Sequence, residues 1–270
     1  MDFNGKLLKK SLGQNFITDA NLLKAIVQDA QITPATNVLE IGTGAGTLTK
    51  VLSEHAYKVV SYEIDLSLEP IIKHNLDYCQ NTHIIFQDFL QAKEQDISKL
   101  LGNGYKVVAN LPYYITTPII FKLLDFQTPP DSITIMVQLE VGQRIVAKPG
   151  TKDYGALTVG IDSKYQAKLT RKVRKEMFIP RPNVDSCIAH MTYRPYSIDN
   201  YSLFSRVVKS AFHMRRKQLV NNLSSDFGIS KDTLRELLQS INLDPNIRGE
   251  MISTQQFIEL SKALEKYIIE

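Results

Sequence analysis

Apolar residues along the chain fall first into short continuous runs. Val38-Leu39-Glu40-Ile41, Val59-Val60-Ser61-Tyr62, Ile84-Ile85-Phe86, Val107-Val108-Ala109 and Ile133-Thr134-Ile135-Met136-Val137 are rich in β-branched residues and short for helices. Such runs predict strands buried on both faces of a parallel sheet. Residues 21–30 and 66–76 carry apolar side chains at helical spacing, and Asp19 and Asp65 stand where each helix needs an N-cap. Strand–helix alternation predicts a doubly wound, Rossmann-like α/β domain. Two further strands are expected at 165–173 and 184–192, added antiparallel at one edge. Residues 193–197 read as a linker. From 203 onward the period is helical throughout, with helices expected at 203–223, 231–240 and 254–268 and a loop at Asp244-Pro245-Asn246. The expected organisation is an α/β domain over 1–195 and a small all-helical domain over 196–270.

Composition narrows the class. The chain has 270 residues, 43% of them apolar, with 32 Lys+Arg against 28 Asp+Glu for a net charge of +4. That balance argues against disorder over the whole chain. No run reaches the roughly 18 apolar residues of a membrane span, and the first residues lack the apolar segment of a signal peptide. Cys79 and Cys187 form no CxxC, and no two of the five histidines have ligand spacing. The expectation is a cytoplasmic, metal-free, monomeric protein without a disulfide framework.

Candidate chemistry begins at Glu40-Ile41-Gly42-Thr43-Gly44-Ala45-Gly46. A strand runs there into a glycine-rich turn and then a helix, and glycine allows positive φ and close approach of a ligand. Glu63 ends the next strand, near the spacing expected for an acid that accepts hydrogen bonds from ribose hydroxyls. The GxGxG spacing, with an acid just before it, resembles the first motif of S-adenosylmethionine-dependent methyltransferases rather than the GxGxxG of dinucleotide enzymes. Asp88, after the third strand, is placed either to meet an adenine amino group or to cap a helix.

Asn110-Leu111-Pro112-Tyr113 follows the fourth strand, at the carboxyl edge where open α/β sheets bind ligands. These residue types suit methylation of an adenine amino group, whose lone pair is delocalised into the ring. The Asn110 side-chain oxygen and the Leu111 carbonyl can accept its two N–H hydrogens and leave the lone pair pointing at a methyl group. Pro112 stiffens the backbone and supplies no donor, and the Tyr113 ring can stack on the base.

Several motifs occur together in family order. They are Lys10-Ser11-Leu12-Gly13-Gln14-Asn15-Phe16, the glycine turn through Thr49, Glu63-Ile64-Asp65, Gln87-Asp88, Asn110-Leu111-Pro112-Tyr113 and the segment from Phe178 through Pro180, Pro182 and Asn183 to Ser186. Together they resemble the ribosomal RNA adenine dimethyltransferases of the bacterial KsgA type, over residues 6 to about 223. The resemblance implies S-adenosyl-L-methionine as cofactor, with Asn15, Ile17, Gly42, Glu63, Asp88 and Asn110 contacting it. It implies that Asn110, Leu111, Pro112 and Tyr113 form the methyl-transfer loop, with Phe178 a second aromatic near the target base. The implied product is N6,N6-dimethyladenosine at two adjacent adenosines in the 3′-terminal stem-loop of small-subunit (16S) ribosomal RNA, with that RNA or the immature subunit as partner. The sequence departs from the family at Leu139, Asn183 and Val220, where Lys, Lys and Arg are common.

Charge adds an RNA surface. Residues 164–182 hold seven basic side chains and one acid, and 206–217 hold five, including Arg215 and Arg216, with no acid. Local excess of this kind suits phosphate contact. Other readings are a macrolide-resistance methylase acting on the large subunit, a non-catalytic assembly factor and an NAD-dependent oxidoreductase. Leu111 and Asp185 favour the small-subunit type, whose rival tends to Asn-Ile-Pro-Tyr and Val-Asn-Ser.

Overall fold

The computed structural model describes residues 2–3, 6–7, 16–17, 19–214 and 216–268. Three short strands come first: β1 (Asp2–Phe3), β2 (Lys6–Leu7) and β3 (Phe16–Ile17), with β1 antiparallel to β2. The α/β repeat then runs α1 (Ala20–Asp29), β4 (Asn37–Ile41), α2 (Thr47–His55), β5 (Lys58–Glu63), α3 (Glu69–Asn75), β6 (Thr82–Phe86), α4 (Glu94–Leu101), β7 (Lys106–Asn110), α5 (Thr116–Leu124) and β8 (Ser132–Gln138). After α6 (Leu139–Ile145) and α7 (Ala156–Asp162) come β9 (Tyr165–Val173), β10 (Phe178–Ile179) and β11 (Ser186–Tyr193). Four helices finish the chain: α8 (Tyr201–Ala211), α9 (Leu219–Phe227), α10 (Lys231–Ser240) and α11 (Thr254–Leu264).

One seven-stranded sheet has the order β6-β5-β4-β7-β8-β11-β9. β4 to β8 pair in parallel, and β11 pairs antiparallel with β8 from Ser186↔Gln138 to Thr192↔Ser132. All five predicted central strands are present. Val38, Leu39, Val59, Val60, Val107, Val108 and Ile133 are each at most 1% exposed, as two covered faces require. β4 has β5 on one side and β7 on the other, so the chain reverses its winding there and opens a crevice beyond the carboxyl ends of the strands.

Caps set the helix starts. Asp19 accepts hydrogen bonds from the backbone N–H groups of Asn21 and Leu22 at 2.7 and 3.0 Å and starts α1, an arrangement worth about 1 kcal/mol. Asp65 caps as expected, but the single helix predicted over 66–76 is a 3-10 turn, Leu66–Leu68, followed by α3. Pro70 explains the restart: its ring nitrogen donates no hydrogen bond, which is tolerated only in a helix's first turn.

The chain divides into two compact units, residues 1–142 with 166–193, and residues 143–165 with 194–270. The expected division at 195/196 did not anticipate that 143–165 joins the C-terminal helices. Tyr154 and Val159 are the reason, since they belong to the same apolar core as Phe204, Val207, Leu219, Phe257 and Leu260. The expected linker is also tied down within that unit, with Arg194 N–H donating to Lys164 O and Tyr196 N–H to Ser163 O.

A single helix over 203–223 was expected, and the structure breaks it between Ala211 and Leu219. Phe212 turns inward instead, its ring lying 6.0 Å from Tyr154 and 5.8 Å from Phe257. The buried Asn222 amide donates to the carbonyls of Ala211 and Met214 at 3.0 and 3.3 Å, satisfying the end of α8. Periodicity alone could not show that break, because both halves keep an apolar face.

In the first unit, Gly142 packs against Cys187 so closely that a Cβ there would stand 2.1 Å from Sγ. Burial pushes that thiol up to about 11, so Cys187 is a packing group. Gly142→Ala is expected to lower unfolding stability in urea by about 1–3 kcal/mol, the usual range for overpacking. Adding Cys187→Ala should restore most of the loss.

Candidate active site

The crevice is built from the ends of four parallel strands, one motif per strand. Gly42, Thr43 and Gly44 follow β4, Glu63 and Ile64 close β5, Gln87, Asp88 and Phe89 follow β6, and Asn110, Leu111 and Pro112 close β7. Ile17 from β3 completes one wall. The structure thus brings together Ile17, Gly42, Glu63, Asp88, Asn110, Leu111 and Pro112 in one cleft.

The glycine turn is fixed by backbone hydrogen bonds. The N–H groups of Gly42 and Thr43 donate to Tyr62 O at 2.8 and 3.3 Å, so the turn is locked onto β5. Gly42 and Gly44 have φ of +86° and +58°, which side-chain-bearing residues rarely adopt. A Cβ on Gly42 would sit 3.6 Å from the Asn110 carbonyl oxygen, and one on Gly44 would press within 2.9 Å of the Phe16 ring. Bare glycine keeps the floor of the cleft open at both places.

Glu63 joins these strand ends. Its Oε2 accepts from Gly44 N–H and its Oε1 from Asp65 N–H, both at 2.8 Å. Burial pushes its carboxyl above the ordinary carboxylate range, while the backbone N–H groups of Asp65, Gly44 and Ile64 pull the other way. Each carboxylate oxygen keeps a second lone pair for a hydroxyl donor. Asp88 Oδ1 caps the next 3-10 turn by accepting from Leu90 N–H at 2.9 Å, and the residue lines the cleft. Lys122 holds that turn from α5, donating to Leu90 O and Ala92 O at 3.0 and 2.7 Å.

Behind the turn, Glu40 is fully buried. Thr49 donates to its Oε2 at 2.6 Å, while Oε1 has no hydrogen-bond partner among the described residues. Burial outweighs the help from Thr49 and the neighbouring Ser61 and pushes the carboxyl up to about 8. Glu40 therefore supports the turn as a largely neutral acid near pH 7.

Tyr113 stands beside the cleft, half-buried, with its hydroxyl 2.7 Å from Ser186 Oγ, and Tyr114 is the exposed aromatic on the cleft wall. Phe178 offers no ring face to a base: it is 2% exposed, in one apolar cluster with Ile17, Leu22, Val173 and Ile188. Pairing of β10 with β3, Phe178↔Ile17 and Ile179↔Phe16, shows what it does instead, which is to anchor the strand that carries Ile17. Asn15 and Arg215 lie outside the described residues. Arg216 is exposed and belongs to the second unit.

The basic run at 164–182 is less charged in space than along the chain. Asp29 takes both Arg171 Nε at 2.7 Å and NH2 at 2.9 Å, Asp185 pairs with Lys172 at 3.0 Å, and Glu176 pairs with Arg181. Val220, read as a lost positive charge, is fully buried in the helical core and cannot be an RNA contact. Missed by sequence were Phe16, Ile64, Phe89 and Tyr114. Three of them directly follow Glu63, Asp88 and Tyr113, a signal the spacing offered.

The donor set fits S-adenosyl-L-methionine. Glu63 would hold the ribose, Asp88 the adenine edge, the exposed Ile64 an adenine face, and the open glycine floor the chain that carries the sulfur. Among the described residues no group of acids, histidines and cysteines is arranged to hold a metal, and no helix is long and apolar enough to cross a membrane.

Comparison with known proteins agrees. The family model for ribosomal RNA adenine dimethylase matches residues 5–266. The chain is 43% identical over 260 residues to "Ribosomal RNA small subunit methyltransferase A" of Clostridioides difficile, covering 94% of this chain and 90% of that protein. It is 44% identical over 259 residues to the protein of the same name from Alkaliphilus metalliredigens, covering 94% and 90%. Among solved structures, a dimethyladenosine transferase from Plasmodium falciparum superposes with a TM-score of 0.78 at 21% identity, covering 93% of this chain and 98% of that one. The 23S rRNA methyltransferase ErmE superposes with a TM-score of 0.68 at 25% identity, covering 93% and 99%.

Glu63→Ala is expected to weaken S-adenosyl-L-methionine binding by about 1–3 kcal/mol, the loss of charge-assisted hydrogen bonds. Isothermal titration checks it, and wild-type affinity would remove Glu63 from the site.

Proposed function

The chain belongs to the ribosomal RNA adenine dimethylase family and uses S-adenosyl-L-methionine as its cofactor, and from that premise we propose that it dimethylates N6 of two adjacent adenosines in the 3′-terminal stem-loop of small-subunit ribosomal RNA. One observation carries the reading. The Asn110-Leu111-Pro112-Tyr113 loop ends β7 directly beside the glycine turn, with the Asn110 carbonyl 3.6 Å from where a Gly42 Cβ would be. Amino-group chemistry and cofactor cradle therefore share one wall. Identity of 43–44% to proteins named for the small subunit supports that substrate over the large-subunit alternative.

The loop is stiff. Pro112 O accepts from Ile115 N–H and from Thr116 Oγ1, at 3.2 and 3.1 Å, and the Leu111 side chain is 1% exposed. Stiffness matters because alignment is most of what this reaction needs. Bound in the cleft, the cofactor supplies a methyl group on a positively charged sulfur. The Asn110 carboxamide oxygen and the Leu111 carbonyl accept the two N–H hydrogens of the target amino group. That draws the hydrogens out of the ring plane and frees the nitrogen lone pair for attack. The same acceptors stabilise the positive charge that grows on nitrogen, after which one proton leaves to solvent. A second round uses the remaining hydrogen.

The second unit offers exposed cations that suit RNA phosphates. Lys209, Arg216 and Lys217 are exposed on the second unit, and the Arg206 guanidinium lies 5.2 Å from the Phe227 ring centroid. The partner is the immature small subunit or its RNA, met in the cytoplasm by a single copy of the chain.

Asn110→Ala is expected to slow single-turnover methylation of immature small subunits by about 10²-fold at saturating cofactor, the cost of one preorganised transition-state contact. RNA binding should remain near wild type. A wild-type rate would reduce the loop to a simple turn.

A further inference from the structure

The residue that fixes the Tyr113 ring lies on a distant strand. Tyr113 and Ser186 are separated by 73 positions, yet their hydroxyl oxygens are 2.7 Å apart. Ser186 is fully buried at the first position of β11, in ladder register with Gln138 of β8. Its backbone is therefore held in the sheet ladder. The residue before it is locked as well. Asp185 accepts from Lys175 N–H at 3.2 Å, pairs with Lys172 Nζ at 3.0 Å, and gives its carbonyl to Leu139 N–H at 3.0 Å.

We propose that Ser186 is a positioning residue for methyl transfer, holding the Tyr113 ring in its working direction through the hydroxyl–hydroxyl hydrogen bond. The inference rests on the reading of Tyr113 as the aromatic that receives the target base. The backbone end of Tyr113 is fixed by the 3-10 turn Tyr113–Ile115, whose carbonyl at Pro112 is doubly engaged. A ring held only there can still rotate about χ1 and χ2. Tethering the phenolic oxygen to a sheet residue fixes χ1 and so the direction in which the ring points, whereas rotation about χ2 leaves that oxygen in place. Burial also raises the cost of leaving either hydroxyl unpaired, since a desolvated O–H without a partner is unfavourable. The loop that carries the chemistry and the strand pair β8–β11 are thus joined by one bond. The Val184-Asp185-Ser186 motif gains two physical tasks: Asp185 fixes the strand's entry and Ser186 reaches the loop.

A double-mutant cycle of Tyr113→Phe, Ser186→Ala and both together tests the proposal in the full chain. Each single substitution is expected to slow single-turnover methylation about 5–10-fold at saturating RNA and cofactor, the worth of about one hydrogen bond. RNA affinity should stay unchanged because the ring is retained. The double variant should be no slower than either single one. If the two losses multiply, or if Ser186→Ala keeps the wild-type rate, Ser186 does not act through Tyr113 and the proposal falls. The same cycle on urea midpoints reads the bond without any substrate. Non-additive midpoints are expected, and strictly additive ones would overturn the proposal even if the RNA reading itself failed. Wild-type methylation, measured alongside, reports on that reading separately.

Discussion

The Glu63 carboxylate ties the glycine turn after β4 to the end of β5, and the cofactor cleft depends on that tie. A buried carboxylate is costly unless hydrogen bonds offset its lost hydration. Here Gly44 N–H and Asp65 N–H supply them, one to each oxygen. In return the charge holds two turns that have no regular structure of their own. The glycines then stay open at positive φ, the Tyr62 carbonyl collects the N–H groups of Gly42 and Thr43, and a polar group stands ready where a ribose would lie. Glu40, beneath the same turn, shows the contrast. Fully buried, its carboxyl is pushed up to about 8 despite Thr49 and Ser61, and no backbone N–H offsets the lost hydration as at Glu63.

Around this tie, each strand end contributes one chemical capability. β4 offers room, β5 a carboxylate, β6 a second acid, and β7 the amide and carbonyl acceptors. Parallel pairing is what brings them level, because β4, β5, β6 and β7 all point their carboxyl ends to the same edge. The antiparallel strand β11 adds the counterpart on the other flank, with Ser186 reaching Tyr113. Several lysines that look available for RNA are spent on the fold. Lys58 donates to Leu100 O, Lys106 to Ala30 O and Gln31 O, and Lys122 to Leu90 O and Ala92 O, all near the ends of helical segments.

Local features of the sequence were legible because their causes are local. Short β-branched runs gave all five parallel strands, Asp19 and Asp65 capped where expected, and the motifs for Gly42, Glu63, Asp88 and Asn110 converged on one cleft. What stayed hidden depends on partners far along the chain. The burial of Phe178 follows from its pairing with Ile17, and the reduced charge of the basic run from Asp29 and Asp185. The break after Ala211 follows from Phe212 meeting Tyr154 and Phe257, and the burial of Val220 from the helical core. Residues 143–165 joined the C-terminal helices for the same reason, since Tyr154 and Val159 fill a core that their own neighbours in sequence cannot.

The account stands on the cleft being an N6-dimethylating site for small-subunit RNA. Nucleoside mass spectrometry of immature small subunits, incubated with the purified chain and methyl-labelled S-adenosyl-L-methionine, tests this most directly. The prediction is labelled N6,N6-dimethyladenosine at two adjacent positions near the 3′ end of the RNA, with no label in large-subunit RNA. Label confined to large-subunit RNA, or no labelled adenosine at all, would contradict it.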